Sequence, residues 1–396
     1  MKTSSNTQVS PGELDPSFGN EGRFALPEST GSIRAIIADG QGAYIVAAWD
    51  NQKCALFRIF ADGTQDLQFG KGGVSRWDFA PKAVSRPTQL ILLPDGKIML
   101  IGVVQHVPFR LQTAFSRFNV GGSPDLIFGT KFLPVADYED SSAALQADGK
   151  ILFLVGREIV SGEGGAVLFR YLPNGDSDQE FGGQGFIKIR FHDQLMTGVK
   201  VLSVSDEQIL VGGQHGKGSD TVISVVIRYF SDGSLDSSFG RSGYWKSEDV
   251  NYMQAMIAED DSIVCSGFKY AKSGVLACIS KLTRNGSFDP LFNNGKTLVV
   301  SIPADVTDDY VSCRAIAVQP DKSIVLGGSA GKKTHAYLLR ALPDGKLDMH
   351  FGHQGIVSIG QTGGLFDLLL QTDKQRILAA IDLHDPRRPY VFGISI

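Results

Sequence analysis

Residues that could take part in acid–base or recognition chemistry are concentrated in a few short segments of this 396-residue chain. The segments combine carboxylates with tyrosines and histidines, side chains that both proton transfer and polar recognition use. The candidates are Tyr138, Glu139, Asp140, His192, Asp193, Tyr252, Asp308, Asp309, Tyr310, His384 and Arg387. Because no motif joins them, they can form one site only if the fold brings them together.

Motifs that fix a particular chemistry are absent from the sequence. HExxH and P-loop patterns do not occur. His350 and His353 form an HxxH pair, but a closed metal site needs more ligands. The segment PNGDSDQE at 173–180 lacks the twelve-residue pattern and terminal glutamate of a calcium loop. We therefore expect no catalytic residues, no metal and no cofactor, although the question of an enzymatic function stays open.

Composition excludes several partner classes. A net charge of −4 without a long basic run argues against nucleic-acid binding, and no apolar run of membrane-spanning length occurs. The N-terminus lacks the apolar segment of a secretory signal, so we expect a cytoplasmic location by default, with a trimmed signal or another export route left open. We also expect a monomer. Cys54, Cys265, Cys278 and Cys313 show no metal-like spacing, and we expect them to be reduced; a Cys265–Cys278 disulfide remains a minor alternative.

A short phrase of the type DGxLDxxFG recurs seven times along the chain, at intervals of 51 to 59 residues. Its anchors are Phe18, Phe69, Phe128, Phe181, Phe239, Phe292 and Phe351. An aspartate stands three positions before each anchor: Asp15, Asp66, Asp125, Asp178, Asp236, Asp289 and Asp348. A cation stands eleven positions before six of them: Arg58, Arg117, Arg170, Arg228, Lys281 and Arg340. The repeat predicts a structural corner in which the cation reaches the aspartate, a glycine provides a tight turn and the phenylalanine fills the gap behind it.

A second phrase alternates with the first, as in LLPDGKIMLIG at 92–102 and LQADGKILFLVG at 145–156. An Asp-Gly pair between two apolar runs predicts a β-hairpin. Each unit of about 55 residues would then hold four strands and needs no helix, which is typical of a β-propeller blade. The sequence therefore predicts an all-β, seven-bladed β-propeller with four antiparallel strands per blade.

The two chain ends complement each other in this scheme. The N-terminal segment contributes only a fourth strand, whereas the C-terminus stops after a third strand, so we expect the N-terminal strand to close the ring in the C-terminal blade. The last copy lacks the arginine on its third strand, which predicts an altered corner there. A single domain, 1–396, is expected, with blades at 31–80, 87–135, 141–191, 197–247, 252–302, 311–360 and 365–396, the last completed by 18–27.

The alternating QPDGKIL-like and RYxxDGxLDxxFGxxG segments resemble the delta-60 repeat family of bacterial proteins over essentially the whole chain. The resemblance implies a bacterial β-propeller and brings no catalytic residues. Phe132 replaces the trailing glycine of the third copy, and Gly295 comes one position early in the sixth, which predicts remodelled corners at these two places.

Differences in loop length distinguish the constant structural corners from the loops that could form a binding surface. The corner phrase never changes in length, whereas the loops between the fourth strand and the next first strand do, and these loops carry the candidate residues. Variable loops on a rigid scaffold are where binding residues usually lie. The leading hypothesis is a non-catalytic scaffold that binds a protein or glycan with this loop face. The alternative is a hydrolase or lyase with histidine and carboxylates at the channel mouth; a lectin with one site per blade is the least favoured, because the loops differ from blade to blade.

Overall fold

The computed structural model describes residues 9–27, 31–107, 110–137, 141–156, 165–204, 208–216, 221–247, 252–259, 261–303, 310–331, 334–385 and 387–396. Within these residues all regular structure is β-strand apart from two 3-10 turns, Phe181–Gly183 and Thr372–Lys374. The prediction of an all-β chain is confirmed. Short strand-turn-strand phrases produce it because each places β-branched and aromatic residues between turn-forming Asp, Asn and Gly.

The strands assemble mostly into four-stranded antiparallel sheets in chain order, after a first short strand β1 (Arg23–Ala25). Sheet 1 contains β2 (Ser32–Ala38), β3 (Ala43–Asp50), β4 (Lys53–Phe60) and β5 (Ser75–Trp77). Sheet 2 contains β6 (Val84–Leu92), β7 (Ile98–Val107), β8 (Arg110–Phe118) and β9 (Thr130–Asp137). Sheet 3 contains β10 (Ser142–Leu145), β11 (Ile151–Val155), β12 (Val167–Tyr171) and β13 (Phe186–Lys188).

A small hairpin, β14 (Arg190–Phe191) and β15 (Gln194–Leu195), leads into sheet 4. Sheet 4 contains β16 (Thr197–Val204), β17 (Gln208–His215), β18 (Ile223–Tyr229) and β19 (Tyr244–Lys246). Sheet 5 contains β20 (Tyr252–Glu259), β21 (Ser262–Ala271), β22 (Gly274–Thr283) and β23 (Leu298–Val300).

The remaining strands form one wide sheet in the order β1-β29-β28-β27-β26-β25-β24. They are β24 (Val311–Val318), β25 (Ile324–Ala330), β26 (His335–Ala341), β27 (Ile356–Gln371), β28 (Arg376–His384) and β29 (Arg387–Ser395). The long strand β27 pairs with β26 through 356–362 and with β28 through 363–371. β1 pairs with β29, with Phe24 opposite Val391. Each half of the wide sheet is thus a four-stranded group of the same order as sheets 1 to 5.

Apolar side chains pack between neighbouring sheets rather than in one central core. Phe115 of sheet 2 stacks on Phe153 of sheet 3 with ring centroids 4.6 Å apart, and both rings are fully buried. The first strands contact one another in sequence, β2 with β6, β6 with β10, β10 with β16, β16 with β20, β20 with β24 and β24 with β27; β27 in turn contacts β2. The first strands of successive sheets therefore lie beside one another on the inner side of the sheets, which we call the axial side, and the fourth strands lie farthest from it.

Each repeated phrase forms a tight corner at one end of its sheet. In the fourth sheet the Asp236 N–H donates to the Arg228 carbonyl (3.0 Å) and the Phe239 N–H donates to the Asp236 carbonyl (3.1 Å). Gly233 has a φ of 91°, a conformation that L side chains rarely adopt. We call the side of the molecule that carries these corners the corner face and the opposite side the loop face.

The repeated cation links three groups at its corner. Arg228 Nε lies 2.7 Å from Asp236 Oδ2, its guanidinium carbon lies 4.9 Å from the Phe239 ring centre, and its NH1 donates to the Arg284 carbonyl of the next corner (2.8 Å). Nitrogen–oxygen distances at the other corners are 2.9 Å for Arg117–Asp125, 2.7 Å for Arg170–Asp178, 3.1 Å for Lys281–Asp289 and 2.6 Å for Arg340–Asp348. Arg58 lies closer to Asp39 (2.6 Å) than to Asp66 (3.5 Å).

Neighbouring corners are also joined through their backbones. The Gly240 N–H donates to the Asn285 carbonyl (2.7 Å), and a Cβ on Gly286 would lie 2.7 Å from the Phe239 ring. The turn glycine is therefore required twice, by its positive φ and by the phenylalanine of the preceding corner. At the third copy the Gly129 N–H donates instead to Asp125 of its own corner (3.0 Å). In the sixth copy Asn293 takes the place of the glycine at φ 46° and keeps the link, to Asp344 (2.8 Å).

The N-terminal corner obtains its arginine from a different strand. The Asp15 N–H donates to the carbonyl of Gly393, the position that holds the cation elsewhere. Arg376, on the neighbouring strand β28, pairs with Asp15, lies 5.1 Å from the Phe18 ring centre and donates to the Ala61 carbonyl (3.1 Å). A Cβ at Gly393 would lie 2.8 Å from Phe18. The expected alteration of this corner thus consists of a displaced arginine that makes the same three kinds of contact.

Candidate functional site

His192 and Asp193 occupy the turn of the β14–β15 hairpin, both with positive φ, 46° and 64°. The His192 ring lies 5.0 Å from the ring of Tyr244, on the outer strand β19, and 4.3 Å from Phe191. Burial raises the pKa of Tyr244, the charge of Asp193 adds to this rise, and a hydrogen bond from the His192 backbone opposes it. His192 is therefore part of an aromatic cluster against the outer strand of sheet 4.

Tyr252 starts the first strand of sheet 5 and lies in a different aromatic group. Its ring stacks on Phe268 at 5.0 Å with an interplanar angle of 8°. Tyr270 stands edge-on to both rings, 5.7 Å from each, and is 56% exposed. We call Tyr252, Phe268 and Tyr270 the aromatic platform; it lies on the loop face, beside the β21–β22 turn.

The other described candidates lie on the loop face of the wide sheet. Tyr310 directly precedes β24 and is 40% exposed. His384 and Arg387 face each other across the β28–β29 hairpin and are both exposed. Tyr138, Glu139, Asp140, Asp308 and Asp309 lie outside the described residues. The described candidates are thus distributed among separate places around the loop face, and His192 and Tyr252 belong to distinct groups.

A second polar group, which the sequence analysis did not single out, lies where the first strands face the axis. The guanidinium carbons of Arg34 (β2) and Arg314 (β24) lie 4.1 Å and 5.8 Å from the ring centre of Phe366 (β27). All three residues stand at irregularities of strand pairing, where an extra residue is inserted. Such bulges redirect side chains, and here they bring three strands' side chains together. We call Arg34, Arg314, Phe366, Asp367 and Lys200 the axial cluster.

Asp367 and Lys200 are the other two charged residues of this cluster. Burial raises the pKa of Asp367 to about 6, although N–H groups of Ile36 and Leu368 and the charge of Lys200 oppose the rise. Burial also lowers the pKa of Lys200, and the charge of Asp367 opposes that shift. The charges of Asp367 on β27 and Lys200 on β16 thus act on each other, although the two strands belong to sheets that are not neighbours.

A weak sequence signal for the axial cluster exists. Arg34, Arg314 and Asp367 interrupt otherwise apolar first strands, in the segments SIRAIIA, VSCRAIAV and LFDLLLQ. Charged residues on the innermost strand need either a partner or water. The repeat does not indicate them, because these charged residues stand at positions where the copies differ.

The described part of the chain contains no cluster of metal-binding side chains. No group of three or more His, Cys, Asp or Glu residues there could hold a metal ion. His350 and His353 sit on the corner face, where the His350 N–H donates to Asp348 (3.0 Å). All four cysteines are buried and none of them forms a disulfide; burial raises the pKa of Cys265 to about 12. The described ranges contain no helix with the length and apolar character that crossing a membrane requires.

Comparison with known proteins supports the architecture. Residues 146–181, 205–239 and 319–351 match the model of a family described as a domain of unknown function (DUF5122) beta-propeller. A search of curated proteins gave no match.

Solved structures with a similar fold include a virginiamycin B lyase from Staphylococcus aureus, with 10% identity, a TM-score of 0.58, and coverage of 94% of this chain and 98% of that one. Drosophila Semaphorin 2a is similar at 9% identity and a TM-score of 0.55, covering 98% of this chain and 76% of that one. Drosophila Plexin A, solved in complex with Semaphorin 1b, gives 10% identity and a TM-score of 0.52, with 97% and 88% coverage. Identities this low concern the fold alone. Together with the sheet order, they identify this chain as a β-propeller.

Proposed function

We propose that the chain forms a single seven-bladed ring of the delta-60 repeat type, closed in its last blade by β1. Two observations support this. The first strands contact one another successively, and β27 contacts β2. The N-terminal corner is bonded on both sides, since the Gly352 N–H donates to Pro11 (2.9 Å) and the Gly19 N–H donates to Asp62 (2.7 Å). The wide sheet then counts as two blades that share β27, and the blade boundaries are those expected from the sequence.

On this ring, the loop face serves as a binding surface of a monomeric, non-catalytic scaffold for a protein or glycan partner. The aromatic platform is the observation that carries this proposal, because it presents stacked and edge-on rings beside an exposed Tyr270. Aromatic side chains provide large contact areas at small entropic cost and are enriched in recognition surfaces. Tyr310, exposed on the next blade, extends the same surface.

An enzymatic function, as a hydrolase or lyase, has one observation in its favour. Asp367 and Lys200 are coupled and shifted towards their neutral forms, a property frequent in catalytic groups. The histidine of the expected site does not join them, because His192 packs against the outer strand β19. The binding function is therefore preferred.

The test is capture of partners by two matched variants of the full chain. One carries Tyr252→Ala, Tyr270→Ala and Tyr310→Ala; the other carries Leu126→Ser and Ile127→Ser on the corner face, where these side chains are 76% and 99% exposed. A cell extract and a panel of immobilised glycans serve as the two sources of ligand. We expect the loop-face variant to lose the ligand that the unaltered chain and the corner-face variant retain. Loss only in the corner-face variant would reject the chosen surface.

A further inference from the structure

A cleft opens on the corner face where the wide sheet meets sheet 1. It has a volume of about 490 Å³. Its lining includes Ser17 of the N-terminal corner, Lys374 and Arg376 of the β27–β28 connection, and Phe60 and Asp62 of the first sheet's corner. Clefts of this size hold small-molecule ligands. We call the space between these five residues the seam cleft.

Arg376 contributes a wall of the seam cleft, and its N–H groups are all engaged within the protein. The Nε–H donates to Asp15 (2.7 Å), and the NH2 group donates to the Ser17 hydroxyl (2.7 Å) and to Asp15. The NH1 group donates to the Gln371 side chain and to the Ala61 carbonyl, both at 3.1 Å. The guanidinium group therefore joins the N-terminal corner to the corner of sheet 1, and other residues must contact a ligand.

The place of Arg376 in its sheet is taken by a lysine in two other sheets. In sheet 2 Lys97 follows the Asp-Gly turn, and its ammonium group lies 3.1 Å from Asp125 of the corner. In sheet 3 Lys150 lies 3.8 Å from Asp178 in the same arrangement. In the wide sheet Arg376, the first residue of β28, pairs with the corner carboxylate. A second cation in this turn is therefore not required for the corner.

Lys374 is this second cation. It is the last residue of the 3-10 turn, its side chain is exposed, and it forms no ion pair within the described ranges. Asp62 adds a carboxylate to the same cleft. The Asp62 Oδ1 atom accepts the N–H and the hydroxyl of Thr64, at 2.9 Å and 2.7 Å. The seam cleft thus presents one ammonium group and one carboxylate in addition to the neutralised arginine.

Phe60 supplies an apolar surface between these charged groups and the protein. It is the last residue of β4, and its side chain is 43% exposed, which is unusual for a phenylalanine. An exposed ring face can stack with another aromatic ring and so bury apolar area on both partners. The cleft therefore combines a ring, a cation and an anion within the space of one small ligand.

We propose that the seam cleft is a binding site for a small zwitterionic ligand that carries an aromatic ring, such as an aromatic amino acid. The ring of the ligand stacks on Phe60, its carboxylate lies at Lys374 and its ammonium group lies at Asp62. Asp62 repels a ligand with only a negative charge and Lys374 repels one with only a positive charge, so the pair selects a zwitterion. The site lies on the corner face and is independent of the partner surface proposed for the loop face.

Ligand-observed NMR titration of the full chain with L-phenylalanine tests the proposal. We expect a dissociation constant of about 1 mM, which is usual for a ligand of this size in an open cleft. Phe60→Ala should weaken binding about fivefold, because a ring contact is lost. Lys374→Gln should weaken it about threefold, because an exposed ion pair is lost.

Phe230→Ala is the matched control for the aromatic contact. Phe230 stands three residues before the turn glycine of sheet 4, as Phe60 does in sheet 1, and is 45% exposed. This variant should bind phenylalanine as the unaltered chain does. Two analogues test the charges: phenylpropionate lacks the ammonium group and phenethylamine lacks the carboxylate. Each should bind about threefold more weakly than phenylalanine, because one ion pair is lost.

Three results would overturn the site. One is the absence of binding at about 10 mM phenylalanine, tenfold above the expected constant. Another is equal affinity in Phe60→Ala and Phe230→Ala, which would place the ligand elsewhere. The third is an analogue that binds as tightly as phenylalanine, which would contradict selection by the two charges. Lys374→Gln changes an exposed side chain, so an unchanged thermal midpoint shows that its loss of binding does not reflect unfolding. None of these results bears on the loop-face capture experiment, which uses different variants.

Discussion

The corners and the axial cluster use the same three residue types, Asp, Arg and Phe, with opposite electrostatic outcomes. At a corner such as Arg228–Asp236–Phe239, the arginine lies over the ring and pairs with the carboxylate at 2.7 Å. In the axial cluster two arginines lie over one ring, and the adjacent Asp367 bonds backbone N–H groups instead. Composition alone does not determine what such a group does.

Carboxylate pKa values show the difference directly. Burial acts against ionisation at Asp125, yet hydrogen bonds from Lys97, the Phe128 N–H and Arg117 lower its pKa to about 2. At Asp367 burial prevails, and the pKa is about 6. A buried carboxylate that pairs with a cation keeps its charge at little cost in free energy. A carboxylate whose burial is not offset in this way is costly to ionise, and such groups are frequent at functional sites. The corner at Asp125 accordingly favours the charged form of its carboxylate, whereas the surroundings of Asp367 favour the neutral form.

The largest effect is expected from removing a whole corner. Deleting residues 1–27 takes away β1 and the fully buried Phe18 and Leu26, and leaves Arg376 buried without Asp15. We expect the thermal midpoint to fall by about 10 °C or more, because several kilocalories of packing are lost. Differential scanning calorimetry measures this. An unchanged midpoint would contradict both closure of the ring by β1 and a structural role of the N-terminal corner.

The second-largest loss of stability is expected from breaking the ion pair of a single corner. Asp236→Ala leaves Arg228 unpaired at 5% exposure, and removing one partner of a buried pair costs about 3–5 kcal/mol. Asp232→Ala, four residues earlier, removes only the exposed hydrogen bonds to Ser234 and should cost about 1 kcal/mol or less. Urea denaturation midpoints compare the two. Similar decreases in the two midpoints would mean that the buried ion pair contributes no more to stability than the exposed hydrogen bonds of Asp232.

The smallest effect, and the sharpest contrast, concerns pH. Because the folded-state pKa of Asp367 is raised to about 6 from 3.8, the folded chain binds the extra proton between these values, and stability falls as pH rises through about 4 to 6. Asp367→Asn should reduce the difference in unfolding free energy between pH 4 and pH 7 by up to about 3 kcal/mol.

Asp125→Asn provides the control with the opposite sign. Its lowered pKa of about 2 contributes stability above pH 4 that is lost as pH falls towards 2, so this variant should be weakened at pH 7 and should approach the unaltered chain in acid. Denaturation curves over this pH range measure both variants. Parallel pH profiles for Asp367→Asn and the unaltered chain would show that the axial carboxylate is not destabilised by burial.

Much of the architecture was accessible from the sequence because the corner is a local structure. Cation, glycine, aspartate and phenylalanine lie within twelve consecutive residues, so their spacing directly predicts turn and contact. The N-terminal corner was only half predictable. Its aspartate and phenylalanine fit the repeat, but Arg376 reaches them from a strand 361 positions away, and no periodic pattern indicates such a substitution.

The candidate site was predicted less well. The variable loops share one face, but on that face His192 packs against Tyr244 and Tyr252 stacks on Phe268. The positions of these two side chains depend on the local packing of aromatic rings, which the variability of loop sequences does not indicate. The aromatic platform could have been suspected from Phe268 and Tyr270, which alternate on one face of β21.

The amino-acid sequence by itself determined the repeating unit, its four strands and the ion pair at six of the seven corners, because these depend on spacings of a few residues. Only the tertiary structure decided which side chains meet at the axis. Arg34, Arg314 and Phe366 come from three first strands that are distant in the sequence, and their side chains meet only because the sheets pack successively until β27 lies beside β2. Side-chain contacts across an axis follow from the packing of whole sheets, which local sequence patterns do not specify.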